Sequence, residues 1–139
     1  MSQLSDIPVT VTVLQAGADV APHGRALLME LETQLRDLVE QGRESSIDLR
    51  SLPLSPGDLA FLEQHLGKGE VTAEVSALGP STVQETAIHG VWWVRHYNSN
   101  DEVMAEFLEV TQCPDIIRAH PADVRDSLED LRARLVELE

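Results

Sequence analysis

The sequence is short of cysteine, of aromatic residues and of basic residues, and each shortage narrows what the protein can be. Its one cysteine, Cys113, cannot form an internal disulfide framework, which fits a reducing compartment such as the cytoplasm. Ten Lys and Arg stand against 24 Asp and Glu, a formal net charge of −14. Nucleic acid and anionic membranes are therefore poor partners, because both need clustered cations.

Long apolar runs are also missing. No stretch approaches the roughly 20 apolar residues of a membrane span, and the N-terminus lacks the basic-then-apolar pattern of a secretory signal. The acidic balance favours a basic segment on a protein partner, although solubility alone also explains such a surface. The length of 139 residues predicts one domain, 1–139.

Helical and strand periods alternate along the chain. Residues 7–14 alternate Val and Thr and predict a strand, and residues 22–41 predict an amphipathic helix. Ser55 and Pro56 predict the start of a second helix, which ends at Gly67. A last helix begins at Pro121; its apolar residues, spaced 4, 3, 4, 3, are Val124, Leu128, Leu131, Leu135 and Leu138. We expect this seam to dock onto the sheet rather than to dimerise, because two heptads are too short for a stable coiled coil alone; a homodimer stays possible.

The segment 69–111 predicts an antiparallel meander. Residues 70–77 have a period of two, Gly79-Pro80 turns the chain, and 82–97 form a longer strand, with a bend or bulge expected at His89-Gly90. A third strand is predicted at about 102–111. The predicted fold class is therefore α+β: a small, mainly antiparallel sheet of three or four strands packed against about three helices.

The motifs of common active sites and metal sites are missing. The five histidines are scattered without the spacing of a zinc site, and no CxxC, phosphate-binding loop or nucleophile elbow occurs. We assign no catalytic residue, no metal ligand and no cofactor. Cys113 is interpreted as a small, half-buried side chain at a strand end rather than a reactive thiol. A polar cleft near Glu70, Glu85 and His89 is the remaining enzymatic alternative.

One strand face has the composition of a protein interface. Trp92 and Trp93 must point to opposite faces of a regular strand, and the one outside the core lies near Arg95 and Tyr97. Trp, Arg and Tyr are the residues enriched at interface hot spots. Glu85 and His89 fall on one side of the same strand. The candidate partner-binding residues are therefore Glu85, His89, Trp93, Arg95 and Tyr97, with Trp92 in the core beside Ile88 and Val94; the alternative is that other elements cover this face.

The run LGKGEVTAEVSALGPSTVQETAIHGVWWVR resembles the signature of the HupH/HyaF hydrogenase-expression proteins, in their C-terminal conserved region. That signature has an L-G-x-G-E-V-S start, a Q-E-[ST] element and a G-V-W-x-V close; here Thr72 replaces the usual Ser. The resemblance covers about residues 25–120. The matching positions that we interpret as structural are Gly67, Gly69, Glu70, Gln84, Gly90 and Trp92.

The resemblance implies an accessory role in assembling a [NiFe] hydrogenase. The expected function is that of a non-enzymatic chaperone or scaffold in the cytoplasm, with the immature small, iron–sulfur subunit or another maturation protein as partner. Members of the family are usually longer than this chain. The alternatives are a metal or iron–sulfur carrier and a generic homo-oligomeric interaction domain.

Overall fold

A computed structural model describes residues 21–77 and 79–139, so the strand expected at 7–14 lies outside the described residues. The helices and strands of this part follow one another with two short 3₁₀ turns. Their bounds are α1 Gly24–Gln41, β1 Ser45–Asp48, a 3₁₀ turn Leu49–Ser51, α2 Pro56–Leu66, β2 Thr72–Ala77, β3 Gly79–Glu85, β4 Val91–Tyr97, β5 Val103–Val110, a 3₁₀ turn Asp115–Ile117 and α3 Pro121–Glu137.

The strands form one sheet in the order β1-β5-β4-β3-β2, and every neighbouring pair is antiparallel. The predicted α+β class is confirmed, but the sheet has five strands rather than three or four. Two strands are additional to the predicted meander: β1, whose four residues are too few to show a period of two, and one that arises because the segment predicted as a single strand forms both β3 and β4. Ile47 of β1 lies opposite Leu108 of β5, and this pairing carries the short segment into the core.

The single long strand predicted over 82–97 is wrong, because the chain reverses there and forms β3 and β4. The hydroxyl of buried Thr86 donates to the carbonyl of Val91 at 2.8 Å and accepts from the amide of Ile88 at 3.2 Å. Gly90 completes the reversal with a φ of 96°, a conformation that side-chain-bearing residues rarely adopt. The bend expected at His89-Gly90 is therefore a full turn.

Helices α1 and α2 cover one face of the sheet and enclose the main core. That core contains Leu27, Leu31, Ile47, Leu49, Leu62, Leu66, Val91, Trp93, Leu108 and Val110. On the opposite face Val83, Trp92 and Val94 form a smaller cluster, against which Ile116 and Ile117 pack. Trp92 and Trp93 do lie on opposite faces, but both are buried, and Trp93 rather than Trp92 lies beneath the helices. Ile88 is 42% exposed and does not accompany Trp92 in the core.

The expected docking of the last helix onto the sheet is wrong. No residue of α3 is buried, and its five seam residues remain between 49% and 81% exposed. Both faces of the sheet are already occupied, one by α1 and α2 and the other by the segment that carries Ile116 and Ile117. None of the described helices combines the length and the apolar composition that a membrane span needs.

Candidate functional site

The signature segment surrounds a polar pocket of about 200 Å³ beside the C-terminal end of α2. Three signature residues, Gly67, Gln84 and Thr86, contribute to its lining. The other lining residues are Glu63, Lys68, Trp93 and Arg95. The pocket thus combines hydrogen-bonding side chains with charges of both signs.

The end of α2 forms one wall of this polar pocket. Gly67 ends the helix with a φ of 64°, and its amide donates to the carbonyl of Glu63 at 3.0 Å. The amide of Ala87 donates to the carbonyl of Leu66 at 2.8 Å, which ties the β3–β4 turn to the helix end. A left-handed φ favours glycine, which gives a conformational reason for Gly67 at the end of the helix.

Gly69 and Glu70 act through their backbones. The amide of Gly69 donates to the carbonyl of Glu85 at 2.7 Å, and the amide of Glu70 donates to the Glu85 carboxylate at 3.2 Å. A Cβ atom on Gly69 would lie only 2.6 Å from the carbonyl oxygen of Thr86. The glycine is therefore needed for the close approach of two chain segments.

The Gln84 side chain braces the same segment. Its amide nitrogen donates to the carbonyl of Glu85 at 2.8 Å, and its amide oxygen accepts from the Thr72 hydroxyl at 2.7 Å. Gln84 also lies opposite Trp93 in the β3–β4 register. Its position in the pocket wall is thus held from both ends of the amide group.

Arg95 connects the pocket to the buried core. Its Nε donates to the Glu106 carboxylate at 2.8 Å, and its Nη2 donates to Glu63 at 2.8 Å. Trp93 Nε1 donates to the same Glu106 oxygen at 2.6 Å, and the Arg95 guanidinium lies 4.7 Å from the Trp93 ring centroid. This shared acceptor fixes the Arg95 side chain, while Lys68 is exposed and makes no ion pair with any described residue.

The expected interface residues are not all together. Trp93 is 4% exposed, so the expectation that it stands on an open strand face is wrong. It packs in the core because its side chain points to the helix-covered face. Trp93 and Arg95 share a contact, and Glu85 and His89 share another, with Nδ1 of His89 3.3 Å from the Glu85 carboxylate. Tyr97 lies at the far end of β4, beyond a register shift, and joins neither pair.

The Glu85–His89 contact crosses the β3–β4 turn rather than running along a strand. The His89 side chain is 85% exposed, whereas the Glu85 side chain is 12% exposed and also receives the Glu70 amide. Glu70 meets this pair through its backbone amide, which donates to the Glu85 carboxylate. The arrangement positions an imidazole on the outside of the turn.

Glu106 and Lys68 take part in the pocket region, and sequence reasoning missed both. A usable signal existed for Glu106, because it shares a period of two with Leu108 and Val110 and so had to face the core. A charged residue at such a position needs a buried partner. Lys68 carries a compositional signal, since it is the only lysine in the chain.

A second, acidic pocket of about 300 Å³ lies at the β1–β5 end of the sheet. Burial raises the pKa of Glu109; the charges of Asp115 and Glu44 raise it too, while His96 acts in the opposite direction. Among residues 21–77 and 79–139, no three His, Cys, Asp or Glu side chains are grouped so that they could hold a metal ion. The pocket's lining consists of Glu44, Ser45, Ser46, Glu109, Thr111 and Asp115.

Cys113 follows β5 and is half-buried, as the sequence predicts. Its amide donates to the Thr111 hydroxyl at 3.2 Å, and its Sγ lies 3.8 Å from the carbonyl of Pro114. Thr111 in turn accepts at its own carbonyl from Trp92 Nε1 at 3.0 Å. The cysteine therefore sits in a local structural turn beside the smaller core cluster.

Comparison with known proteins agrees with the signature. Residues 22–138 match the family model described as HupH hydrogenase expression protein, C-terminal conserved region. Similar curated proteins include the hydrogenase expression/formation protein HoxQ of Azotobacter vinelandii, 39% identical over 87 residues, covering 63% of this chain and 31% of that protein. HupH of Rhizobium leguminosarum bv. viciae is 34% identical over 116 residues, covering 81% and 41%. The hydrogenase-1 operon protein HyaF of Escherichia coli K12 is 28% identical over 122 residues, covering 88% and 42%.

A solved structure gives the same result for the fold. The hydrogenase expression protein HupH from Thiobacillus denitrificans superimposes with a TM-score of 0.79 at 40% identity, covering 83% of this chain and 96% of that one. By contrast, the chain spans only 31–44% of the length of the curated relatives it matches. The resemblance inferred from the signature is confirmed: this chain belongs to the HupH hydrogenase expression protein family, as its C-terminal conserved region.

Proposed function

We propose that this chain is a non-catalytic binding module in the maturation of a [NiFe] hydrogenase, and that it binds the immature small, iron–sulfur subunit through the rim of the polar pocket. The names of its relatives, which are hydrogenase expression or formation proteins, support the general role. The observation that supports the proposed binding surface most directly is that the signature residues Gly67, Gln84 and Thr86 come together in the wall of one polar pocket.

The size of the pocket favours a polypeptide side chain over a small molecule. At about 200 Å³ it is smaller than the roughly 300–1,000 Å³ of typical cofactor and ligand pockets. A single side chain of a docked partner fits this volume better. Recognition of a protein surface, rather than of a free metabolite, is the function that this geometry supports.

The charges of the pocket supply the contacts. Lys68 is exposed and lines the pocket together with Arg95, and Arg95 is held in place by the buried Glu106. Such a pre-positioned guanidinium loses little conformational entropy when it donates to a carboxylate or carbonyl of the partner. The net charge of −14 over the whole chain favours approach of a basic partner.

The direct test uses the purified small-subunit precursor, with the mature, cluster-loaded subunit as comparison. Under anaerobic conditions, immobilised chain should bind the precursor and should bind the mature subunit more weakly by at least about tenfold. Metal content is measured in the same complex, since stoichiometric iron or nickel on the chain alone would favour a carrier instead. Absence of any precursor binding would overturn the proposal.

Substitutions at the rim of the polar pocket test whether this surface binds the precursor. We expect Lys68→Gln to weaken precursor binding by about tenfold, because a charged hydrogen bond is worth about 1.5–3 kcal/mol, while the melting temperature stays unchanged. Arg36→Gln is the matched control: it removes one positive charge from the exposed side of α1, where Arg36 pairs with Glu32. Precursor binding that is unaffected by Lys68→Gln, or equally weakened by Arg36→Gln, would place the interface elsewhere.

The single lysine offers an independent readout. An amine-reactive photo-crosslinker attached to Lys68 should capture the precursor, and the crosslinked peptide should contain residue 68. The same reagent on Lys68→Arg should give only products from the N-terminal amine. Equal capture by both proteins would contradict the assigned rim.

A further inference from the structure

Helix α3 presents an apolar seam that no described part of the chain covers. Its five seam residues, Val124, Leu128, Leu131, Leu135 and Leu138, are 55%, 49%, 56%, 56% and 81% exposed. Their 4-3-4-3 spacing aligns them along one side of the helix. Since an isolated helix of this length is marginal in water, the seam has the character of a surface that is covered in a complex.

The local signals of α3 show a well-formed helix rather than a loose tail. Pro121 occupies its first turn, Asp123 follows in the same turn, and the His120 side chain accepts from the amide of Ala122 at 3.2 Å. An exposed Arg132–Glu129 ion pair at 2.8 Å adds a small amount of helical support. The helix is therefore ready to present its seam without first docking on its own domain.

The basic residues of α3 are placed at the edges of the seam. With 3.6 residues per turn, Arg132 and Arg134 lie about 80° to either side of the seam's centre, and Arg125 lies about 100° from it. The acidic side chains of the helix interior mostly face away from the seam. They are Asp126, Glu129, Asp130 and Glu137.

This charge pattern distinguishes between a second copy of the chain and a different partner on the seam. In an antiparallel pair with a second copy, the edge that carries Arg125 and Arg132 would face the same edge of the copy, and like charges there are unfavourable. A parallel pair would relieve this only where Arg134 meets Glu139 at the end of the chain. A partner helix with acidic residues beside its apolar stripe would form ion pairs with the arginines on both edges of the seam.

We infer that α3 is a docking helix for an amphipathic partner helix whose apolar stripe is flanked by Asp or Glu. The seam supplies the apolar contact, and Arg125, Arg132 and Arg134 select the partner by charge. This surface is separate from the polar pocket, so the inference does not depend on the function proposed for that pocket.

The test uses two labelled 21-residue peptides and the intact chain. Both peptides carry Leu at heptad positions a and d; one carries Glu at positions e and g, and the other carries Lys there. Measured by fluorescence anisotropy at low salt, the Glu peptide should bind at least about tenfold more tightly than the Lys peptide, which corresponds to about 1.4 kcal/mol from three arginine pairs. The exchange Arg132→Glu with Arg134→Glu should reverse this preference while leaving the seam intact.

Seam variants and one control complete the test. Leu128→Asp with Leu135→Asp should abolish binding of the Glu peptide, whereas Val136→Asp, an exposed position about 120° from the seam's centre, should leave it unchanged. Circular dichroism verifies that α3 stays helical in each variant. Equal binding of the two peptides, no binding of either, or a seam-dependent homodimer in sedimentation equilibrium would overturn the inference.

Discussion

The carboxylate of Asp58 lies 3.1 Å from the backbone nitrogen of Gly24 and accepts its hydrogen bond, which joins the start of α2 to the start of α1. The same oxygen accepts from the His23 amide at 2.9 Å, and the other oxygen accepts from the Ser55 amide at 2.9 Å. The His23 side chain makes no capping bond, so Asp58 supplies the cap for α1 as well as half of the capping box of α2.

This arrangement makes stability depend on pH. Burial raises the pKa of Asp58, but the hydrogen bonds from Ser55, His23 and Gly24 together outweigh it, and the net pKa lies below the ordinary 3.8. The unfolded chain therefore binds the proton more tightly, so the contribution is complete above about pH 4 and is lost as the pH falls further. We expect Asp58→Asn to cost about 1–3 kcal/mol at pH 7 and progressively less as the pH falls below the ordinary pKa of 3.8, in thermal unfolding.

Asp48→Asn is the control for that measurement. Its carboxylate also accepts a backbone amide, from Arg50 at 3.1 Å, but it is exposed and links no two helices. A loss at Asp48 as large as the loss at Asp58, or a difference at Asp58 that does not change with pH, would contradict the role assigned to Asp58.

Gly69 should tolerate no side chain. Because a Cβ atom would approach the Thr86 carbonyl to 2.6 Å, Gly69→Ala must separate two backbone segments, and we expect a loss of about 1–3 kcal/mol in urea unfolding. Gly42→Ala is the comparison, since Gly42 has a left-handed φ of 67° but open space around it. Its cost should be about 1 kcal/mol, from backbone strain alone. Equal costs would mean that the close contact at Gly69 relaxes freely.

Thr86 explains why the signature accepts Ser or Thr at this position. Its hydroxyl donates to the Val91 carbonyl and accepts from the Ile88 amide, and the residue is 1% exposed. Thr86→Val keeps the shape but removes the partner of the Ile88 amide and one of the two donors to the Val91 carbonyl, which keeps the Thr86 amide at 3.0 Å. We therefore expect a loss of about 1–3 kcal/mol. Thr86→Ser removes one buried methyl group and should cost about 0.8 kcal/mol. Chemical denaturation of both variants checks the order, which would reverse if packing rather than hydrogen bonding governed the turn.

The physical reasons why some features were predictable and others were not differ from element to element. The bounds of α2 follow from local signals, the Ser55 cap and the Gly67 stop, and the structure has them at Pro56–Leu66. The split of the long strand depends on the Thr86 side chain bonding across five residues, which no periodicity reports.

The tryptophans show a second limit. The alternation of side chains along a strand predicts that Trp92 and Trp93 lie on opposite faces, but it does not predict which face the helices cover. Tertiary packing determines that, and the covered face is the one on which Trp93 lies opposite Leu108. The candidate site was found only in part for the same reason. Arg95 was predicted to be functional, whereas its partners Glu63 and Glu106 are 32 and 11 residues away in sequence and meet only in the fold.

Glu106 should matter more than Glu63, although both bind Arg95. Glu106 is 7% exposed and accepts from both Trp93 and Arg95, whereas the Glu63 side chain is 58% exposed. Removing one partner of a buried pair leaves an uncompensated charge, so Glu106→Ala should cost about 2–3 kcal/mol after allowance for the part-exposed Arg95. Glu63→Ala should cost less than about 1 kcal/mol. Similar losses for the two variants in urea unfolding would show that burial of the Glu106 carboxylate does not increase its contribution to stability.

Glu109 should give the opposite pH dependence to Asp58. Burial first, and then the charge of Asp115, raises the pKa of Glu109 above the ordinary 4.5. The folded state therefore holds the proton more tightly than the unfolded chain, and stability is lost as the pH rises through this window. Glu109→Gln removes the charge and should raise the free energy of unfolding at pH 7 by a fraction of a kcal/mol, because the group is half-exposed, with no gain at pH 4. The gain is measured as a higher melting temperature. The exposed Glu40→Gln serves as control, and a gain at Glu109 that is independent of pH would attribute the effect to the amide rather than to the removed charge.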